Sequence, residues 1–580
     1  MLRWRVSSFL FPFNSISFAV LLTLTLTCGQ AIGGSDKLVM TKIDCEVVNP
    51  ADQVRLWDFS PNGDVSFFGL MPSNLLIIGS PTELTALAPA TGTVVWTNDQ
   101  ITGAVWYGTI PNTDYALALG VDQVQIRTLR QGNTTIMENV LHLLDGSTGQ
   151  IFWNSRSLGM RTIAGNFRLP GDKRLLLYGQ DSSNVYCMVA VDIITGRQVW
   201  RREQFFGGND PILRYHSECD LLLEGHQEPL FDTDTTMFMY MEKGGLRKFN
   251  INTGEQLWVT DLWARRVPDL STFFAPIGMS ADRSVLWVPC SNTLRAVSAS
   301  DGSIVWKTKA RIKGQVQQIQ PVKDGLLVRG VQYDEKNRFM QGSLHLVSME
   351  TGEEIWNNGE VKIRSASNFT VVNDSLLMFS RNKLLEFNIA DGGSRILIDS
   401  LELKSKSDPF EISKTEEGYR ILTRQEVLLF DENAQLMSHT YVKEPGTSGF
   451  LKALTTVVTV AAVAAAVATT SAAAYHTGEI PVIIPTCYPM GGYGFPKYGL
   501  TTACKDYLYM VADVKCGDVD TKGRDDVRFK GPGVAKVNKE TGQVVAVVVT
   551  GDKTPTYEAD ETNSRLYYID DNNLIICDQF

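Results

Sequence analysis

Val189-Ala190-Val191-Asp192-Ile193-Ile194-Thr195-Gly196-Arg197-Gln198-Val199-Trp200 is the stretch that decides the fold. An apolar run ends at Asp192, Thr195-Gly196 follows, and a second run reaches Trp200 four residues after the glycine. Period-two alternation marks strands. A side chain such as Asp192 accepts hydrogen bonds from backbone N–H groups just ahead of it and so starts a turn. Gly196 supplies the positive φ that closes the turn. The spacing predicts a hairpin with the tryptophan on its outgoing strand.

Working outward, the same frame returns through the chain. It occupies residues 84–96, 141–153, 246–258, 294–306 and 344–356, with Trp96, Trp153, Trp258, Trp306 and Trp356 each four residues after a glycine. Weaker copies keep only part of it. Residues 384–392 keep Asn388 and Asp391-Gly392 but place Ile396 where tryptophan is expected. Residues 427–435 keep Asp431 and lose the glycine. Residues 534–546 keep Asn538 and Thr541-Gly542, with Ala546 at the tryptophan place. A tail at 566–577 reads as two more strands around Asp570-Asp571-Asn572-Asn573. From Gly92 to Gly392 successive glycines lie 57, 47, 58, 48, 50 and 40 residues apart, which is the spacing of propeller blades. A large flat ring recurring at one place suits the gap between neighbouring blades better than ligand stacking.

This frame resembles the quinoprotein-like repeat family, in which Ala-x-Asp-x-x-Thr-Gly-x-x-x-Trp marks each blade. Residues 189–200 carry Ala190, Asp192, Thr195, Gly196 and Trp200 of that pattern. The resemblance covers about residues 50–445 and 500–580 and implies an all-β chain: a single β-propeller of four-stranded blades. Nine frames and the tail make about ten repeat units, where the family usually closes at eight; eight or more blades are expected. Residues 38–48 are the expected source of the strand that joins the last blade to the first and removes free sheet edges. The family includes dehydrogenases that hold pyrroloquinoline quinone, an outer-membrane assembly lipoprotein, and repeats with no cofactor.

The expected organisation is a signal peptide at 1–33, propeller blades at 38–445, an insertion at 446–500, and final blades with ring closure at 501–580. Residues 1–33 hold Arg3 and Arg5, an apolar stretch at 18–26, and no Asp or Glu, the order of a secretory signal. An uncleaved anchor is the alternative, and Cys28 raises a lipoprotein, although Thr25-Leu26-Thr27 is a poor lipobox. The expected location is the periplasm, the envelope or outside the cell. Residues 453–478 are uncharged and rich in Ala, Val and Thr. They predict an Ala-rich helix packed on the propeller, a partner or a lipid surface, with membrane or partner contact through 450–476. Repeat units on both sides argue against a membrane span. The Pro- and Gly-rich residues 481–497 read as a loop.

Composition narrows function. Lys and Arg number 54 against 64 Asp and Glu, a net charge of -10, so a nucleic-acid binder is disfavoured. Mean hydropathy is -0.06, unlike a polytopic membrane protein. Of nine cysteines none is paired as Cys-x-x-Cys, so a zinc or redox motif has no local support. Cys504 and Cys516 are the best candidates for a disulfide, with buried free thiols the alternative.

No set of catalytic, cofactor-binding or metal-binding residues emerges. The histidines are His142, His216, His226, His345, His439 and His476, none at metal-ligand spacing; His142 and His345 share one frame position. Trp106 and Trp263 are candidate stacking residues, with core packing the alternative. Asp518-Val519-Asp520-Thr521-Lys522-Gly523-Arg524-Asp525-Asp526 approximates a calcium loop, but Lys522 stands where an oxygen ligand belongs. Asn133, Asn368 and Asn373 head glycosylation sequons. The expectation is an exported, non-catalytic propeller that binds protein partners or acts as a scaffold, with no cofactor. The alternative, implied by the resemblance alone, is a pyrroloquinoline quinone-dependent dehydrogenase of alcohols or sugars, with quinone and calcium bound.

Overall fold

The computed structural model describes residues 43–44 and 54–580, apart from 204–228, 242–244, 263–276, 335–338, 405–408, 446–486, 490–500, 516–529 and a few shorter stretches. The fold is a ten-bladed β-propeller of four-stranded antiparallel blades. Blade 1 runs Phe67–Leu70, Leu76–Gly79, Leu84–Leu87, Val94–Asn98, and its fourth strand carries Trp96. Eight more blades follow in chain order. Blade 10 is composite: Tyr557–Asp560, Arg565–Ile569 and Ile575–Gln579 are joined by Val54–Phe59 from the other end of the chain.

The closing strand is therefore not drawn from residues 38–48. Ile43–Asp44 instead pairs in parallel with Val514 and Lys515 of blade 9. Val54–Phe59 closes the ring because it holds the missing tryptophan: Trp57 Nε1 donates to Pro89 O at 3.0 Å, and the ring lies against Gly92 of blade 1. Beside it, Arg55 faces the fully buried Asp578 at 3.6 Å, and Tyr568 donates to the same carboxylate at 2.9 Å.

There is no single central core. Ten apolar clusters each lie between two adjacent blades and complete the circle: one joins Trp96 of blade 1 to Tyr107 and Leu144 of blade 2, and the last joins Cys577 of blade 10 to Phe68 of blade 1. The frame builds these junctions. Asp192 Oδ1 accepts from Thr195 N at 2.8 Å, and Asn250 Oδ1 accepts from Asn252 N at 2.8 Å. The frame glycines take left-handed φ of 64–76°, and each of the first seven faces the tryptophan of the preceding blade. At Gly254 a Cβ would stand 2.5 Å from Trp200 Cε3. Trp96, Trp153, Trp200, Trp306 and Trp356 donate through Nε1 to a carbonyl of the next blade at 2.7–3.1 Å. At Trp258 that carbonyl, Ala299 O, is taken by Lys248 Nζ at 2.9 Å. Blade 5 also departs from the frame: Trp306 sits between an isolated Val297–Ile304 bridge and a short fourth strand, Ala310–Arg311.

Other expectations meet the structure unevenly. Cys504 is disulfide-bonded; Cys516, its expected partner, lies outside the described residues. The backbone register sets Cys487 opposite Cys504. That short strand, Cys487–Pro489, lies within the stretch expected to be a loop. The expected Ala-rich helix and signal peptide lie outside the described residues. Among the described residues one helical turn occurs, the 3₁₀ turn Ser155–Leu158, and no helix is long and apolar enough to cross a membrane.

Candidate functional site

Three described histidines are buried: His142, His345 and His439. His216, His226 and His476 lie outside the described residues. His439 Nε2 meets the fully buried Glu426 at 2.7 Å. His345 forms an arrangement with the outline of a charge relay, its Nδ1 2.6 Å from Glu354 Oε2 and its Nε2 3.2 Å from Ser343 Oγ.

Two hydrogen bonds give it a structural role. Lys313 N–H donates to His345 Nε2 at 3.2 Å, so that nitrogen is the acceptor and Nδ1 carries the proton toward Glu354. Ser343 donates to Lys313 O at 2.5 Å and is buried. A nucleophile needs its base free and a substrate within reach; here both polar atoms are spent on the Lys313 backbone. Burial lowers the His345 pKa, partly offset by Glu354, which suits a neutral ring pinning a loop. Trp106 is half-buried against the apolar cluster between blades 2 and 3, the packing role. Trp263 and the Asp518–Asp526 loop lie outside the described residues. Among the described residues no group of three His, Cys, Asp or Glu is placed to hold a metal ion. Asn373 is exposed in a turn at φ 54°.

What the fold does assemble is a face. Antiparallel strands send successive turns to alternate ends of the ring. One end carries the first-to-second and third-to-fourth turns, including every Thr-Gly frame; these run two to six residues, apart from the eleven-residue connection 299–309 in blade 5. The other carries the second-to-third turns and the blade-to-blade connections. Every long excursion is anchored there: the connections 204–229, 261–277 and 442–501, the second-to-third connection 516–529, and hairpins that outgrow blades 2, 6 and 9. The ring thus has a turn end and a loop end.

A family model described as "Outer membrane protein assembly factor BamB" matches residues 44–209, 137–279 and 242–408, together more than half of the chain. The chain belongs to this family of quinoprotein-like repeat propellers. No curated protein matches it. Solved structures similar to it include BamB from Moraxella catarrhalis, at 14% identity over 79% of this chain and 100% of that one, TM-score 0.30. A quinohemoprotein alcohol dehydrogenase from Pseudomonas putida HK5 matches at 11% identity over 68% of this chain and 74% of that one, TM-score 0.30. A computationally designed protein, Ika8, matches at 10% identity over 67% of this chain and 99% of that one, TM-score 0.31. Likenesses this low carry no functional argument.

Sequence reading missed Trp57, because Gln53 and not a frame glycine stands four residues before it. It also missed the outgrown hairpins. Their signal was present in part: the 57-residue spacing from Gly92 to Gly149 contains the longest of them.

Proposed function

We propose that this propeller is an exported, non-catalytic scaffold that binds protein partners through its loop end, at the cell envelope or outside the cell. The segregation of the long excursions to one end carries the reading. Recognition is disproportionately the work of loops held on a rigid scaffold, and this ring leaves its other end to short turns that serve blade docking. The disulfide at Cys504 supports an oxidising compartment. The acidic balance supports protein partners over nucleic acid.

Photo-crosslinking side chains at Ser182 and Asn382 (loop end) and at Thr91 and Asn433 (turn end), all exposed, test the surface in intact cells. Adducts from the loop-end pair alone are expected; adducts from the turn end alone overturn the assignment. Addition of quinone and calcium with an artificial electron acceptor tests the non-catalytic part, and clear turnover on an alcohol or sugar overturns it. Export is tested by intact mass: loss of about the first 30 residues is expected, and a full-length cytosolic product overturns it.

A further inference from the structure

Three second-to-third-strand hairpins continue past the edge of their blades at the loop end. In blade 2, Tyr115–Thr128 and Gly132–Asp145 pair from Tyr115↔Asp145 to Thr128↔Gly132. On the first-strand side the blade holds this hairpin as far as Val121, whose N–H donates to Gly103 O at 3.0 Å, and the fourth strand pairs no further than His142. Residues 122–128 and 132–138 therefore project as a two-stranded ribbon, about 20 Å long at 3.3 Å per residue, above a base where the Asn139 side chain bonds the Ile163 backbone. In blade 6 the hairpin runs on to Asp334↔Phe339 after the first strand stops at Val331. In blade 9 it runs on to Lys515↔Lys530 after the first strand stops at Tyr509.

The two shorter hairpins each receive an extra strand from their own chain. Ile363–Arg364 pairs antiparallel with Gln341 and Gly342 of blade 6. Ile43–Asp44 pairs parallel with Val514 and Lys515 of blade 9. The blade 2 ribbon, the longest, receives none among the described residues. Past Val121 no strand pairs with either edge among the described residues, and such an edge is a template for a further strand. Proteins blunt such edges with lysine, proline, bulges or shortness. Residues 121–139 contain no lysine and no proline, and their pairing runs without a register shift. The composition suits pairing, with Val121, Val124, Ile126, Thr128, Thr134, Thr135 and Ile136.

We infer that the paired strands of the blade 2 ribbon, residues 122–128 and 132–138, are a strand-addition site that takes an extended segment of a partner protein. The chain's own use of the equivalent edges in blades 6 and 9 shows the mode; affinity would come from main-chain hydrogen bonds. The inference rests on the binding-scaffold reading and names where and how its partner docks.

The variant that tests it removes residues 122–138 and joins Val121 to Asn139, which are register partners, through a two-residue Asn-Gly turn. Blade 2 keeps its four strands, so β-rich circular dichroism and the melt should be unchanged. The probe is a lysine-flanked peptide of alternating Thr and Val, with an analogue N-methylated at every second residue as control. The full chain should bind the peptide, slow amide exchange within residues 122–128 and 132–138, and ignore the analogue. The shortened chain should not bind. Equal binding by the shortened chain or by the analogue overturns the inference. Slowed exchange of the ribbon in the free protein overturns it by placing a segment of the same chain there. Self-association that only the full chain shows overturns it in favour of a second copy. If the shortened ribbon leaves binding intact while loop-end crosslinks persist and no turnover is seen, this inference fails and the scaffold reading stands.

Discussion

Trp200 shows what one frame residue contributes. Its ring is 7% exposed, lies on Gly254 and donates to Ile251 O. Trp200→Ala is expected to cost about 3–5 kcal/mol by cavity formation, read in thermal or denaturant melts; an unchanged melt would show that the ring does not latch blades 3 and 4. His345 gives a pH test. Its folded pKa lies below the ordinary histidine value, chiefly because burial disfavours the charged ring. The unfolded chain then binds the extra proton between the folded pKa and about 6.5, so stability falls as pH drops through that window. His345→Gln should flatten the fall in melting temperature between about pH 7 and 5; an unaltered slope would move the titration to other groups.

Among the elements, the junctions are unequal. Seven are latched by tryptophan, from blade 10 onto blade 1 through to blade 6 onto blade 7. The remaining three are contiguous. Blade 7 offers Ile396, half-exposed, and blade 8 answers with Ala434 at φ 59° where a glycine would stand. Between blades 8 and 9, Thr440 donates to Gly542 O at 2.5 Å, as Thr260 does to Gly302 O beside Trp258, but Ser438 stands where the indole would, and blade 9 carries Ala546 at the tryptophan place. Native-state hydrogen exchange should therefore find smaller opening free energies in blades 8 and 9 than in blades 2 to 4; uniform protection around the ring would refute this. The insertion at 446–500 interrupts the chain within this arc, where the repeat has lost its most exacting residues.

At the scale of the whole molecule, closure depends on Trp57. It pairs across strands with Cys577, a fully buried thiol whose pKa burial pushes up to about 12. Trp57→Ala should open blade 10 and make Cys577 reactive toward thiol reagents, while Cys187 and Cys290, buried elsewhere, stay protected. Labelling of all three at once would mean global unfolding, and labelling of none would mean that closure survives without the indole. Much of this architecture was legible beforehand. Where Asp192, Thr195, Gly196 and Trp200 occur together, local turn chemistry and long-range docking point to one structure, and the frame could be counted. Blade 10 was legible only as a tail, since its fourth strand belongs to a distant part of the chain and no turn connects the two. The loop end was less legible still, because the frame encodes only the opposite end, and excursions between frames share no pattern. The relation of Ser343 to His345 was invisible for a different reason: its outcome is set by Lys313, whose backbone reaches them only in the folded ring.

The composite blade also has a consequence for the protein as it is being made. Val54–Phe59 leaves the ribosome early, and Ile575–Gln579, its neighbour in the sheet, leaves 521 residues later. At about 5–20 residues per second the interval is on the order of a minute. For that time the nascent chain can stack blades one upon another but must remain an open arc, with unsatisfied backbone at both ends. A product that stops before Ile575 is therefore not a slightly smaller ring. It is an arc that never closes, and its first-made strand, still unpaired, distinguishes it from the finished protein.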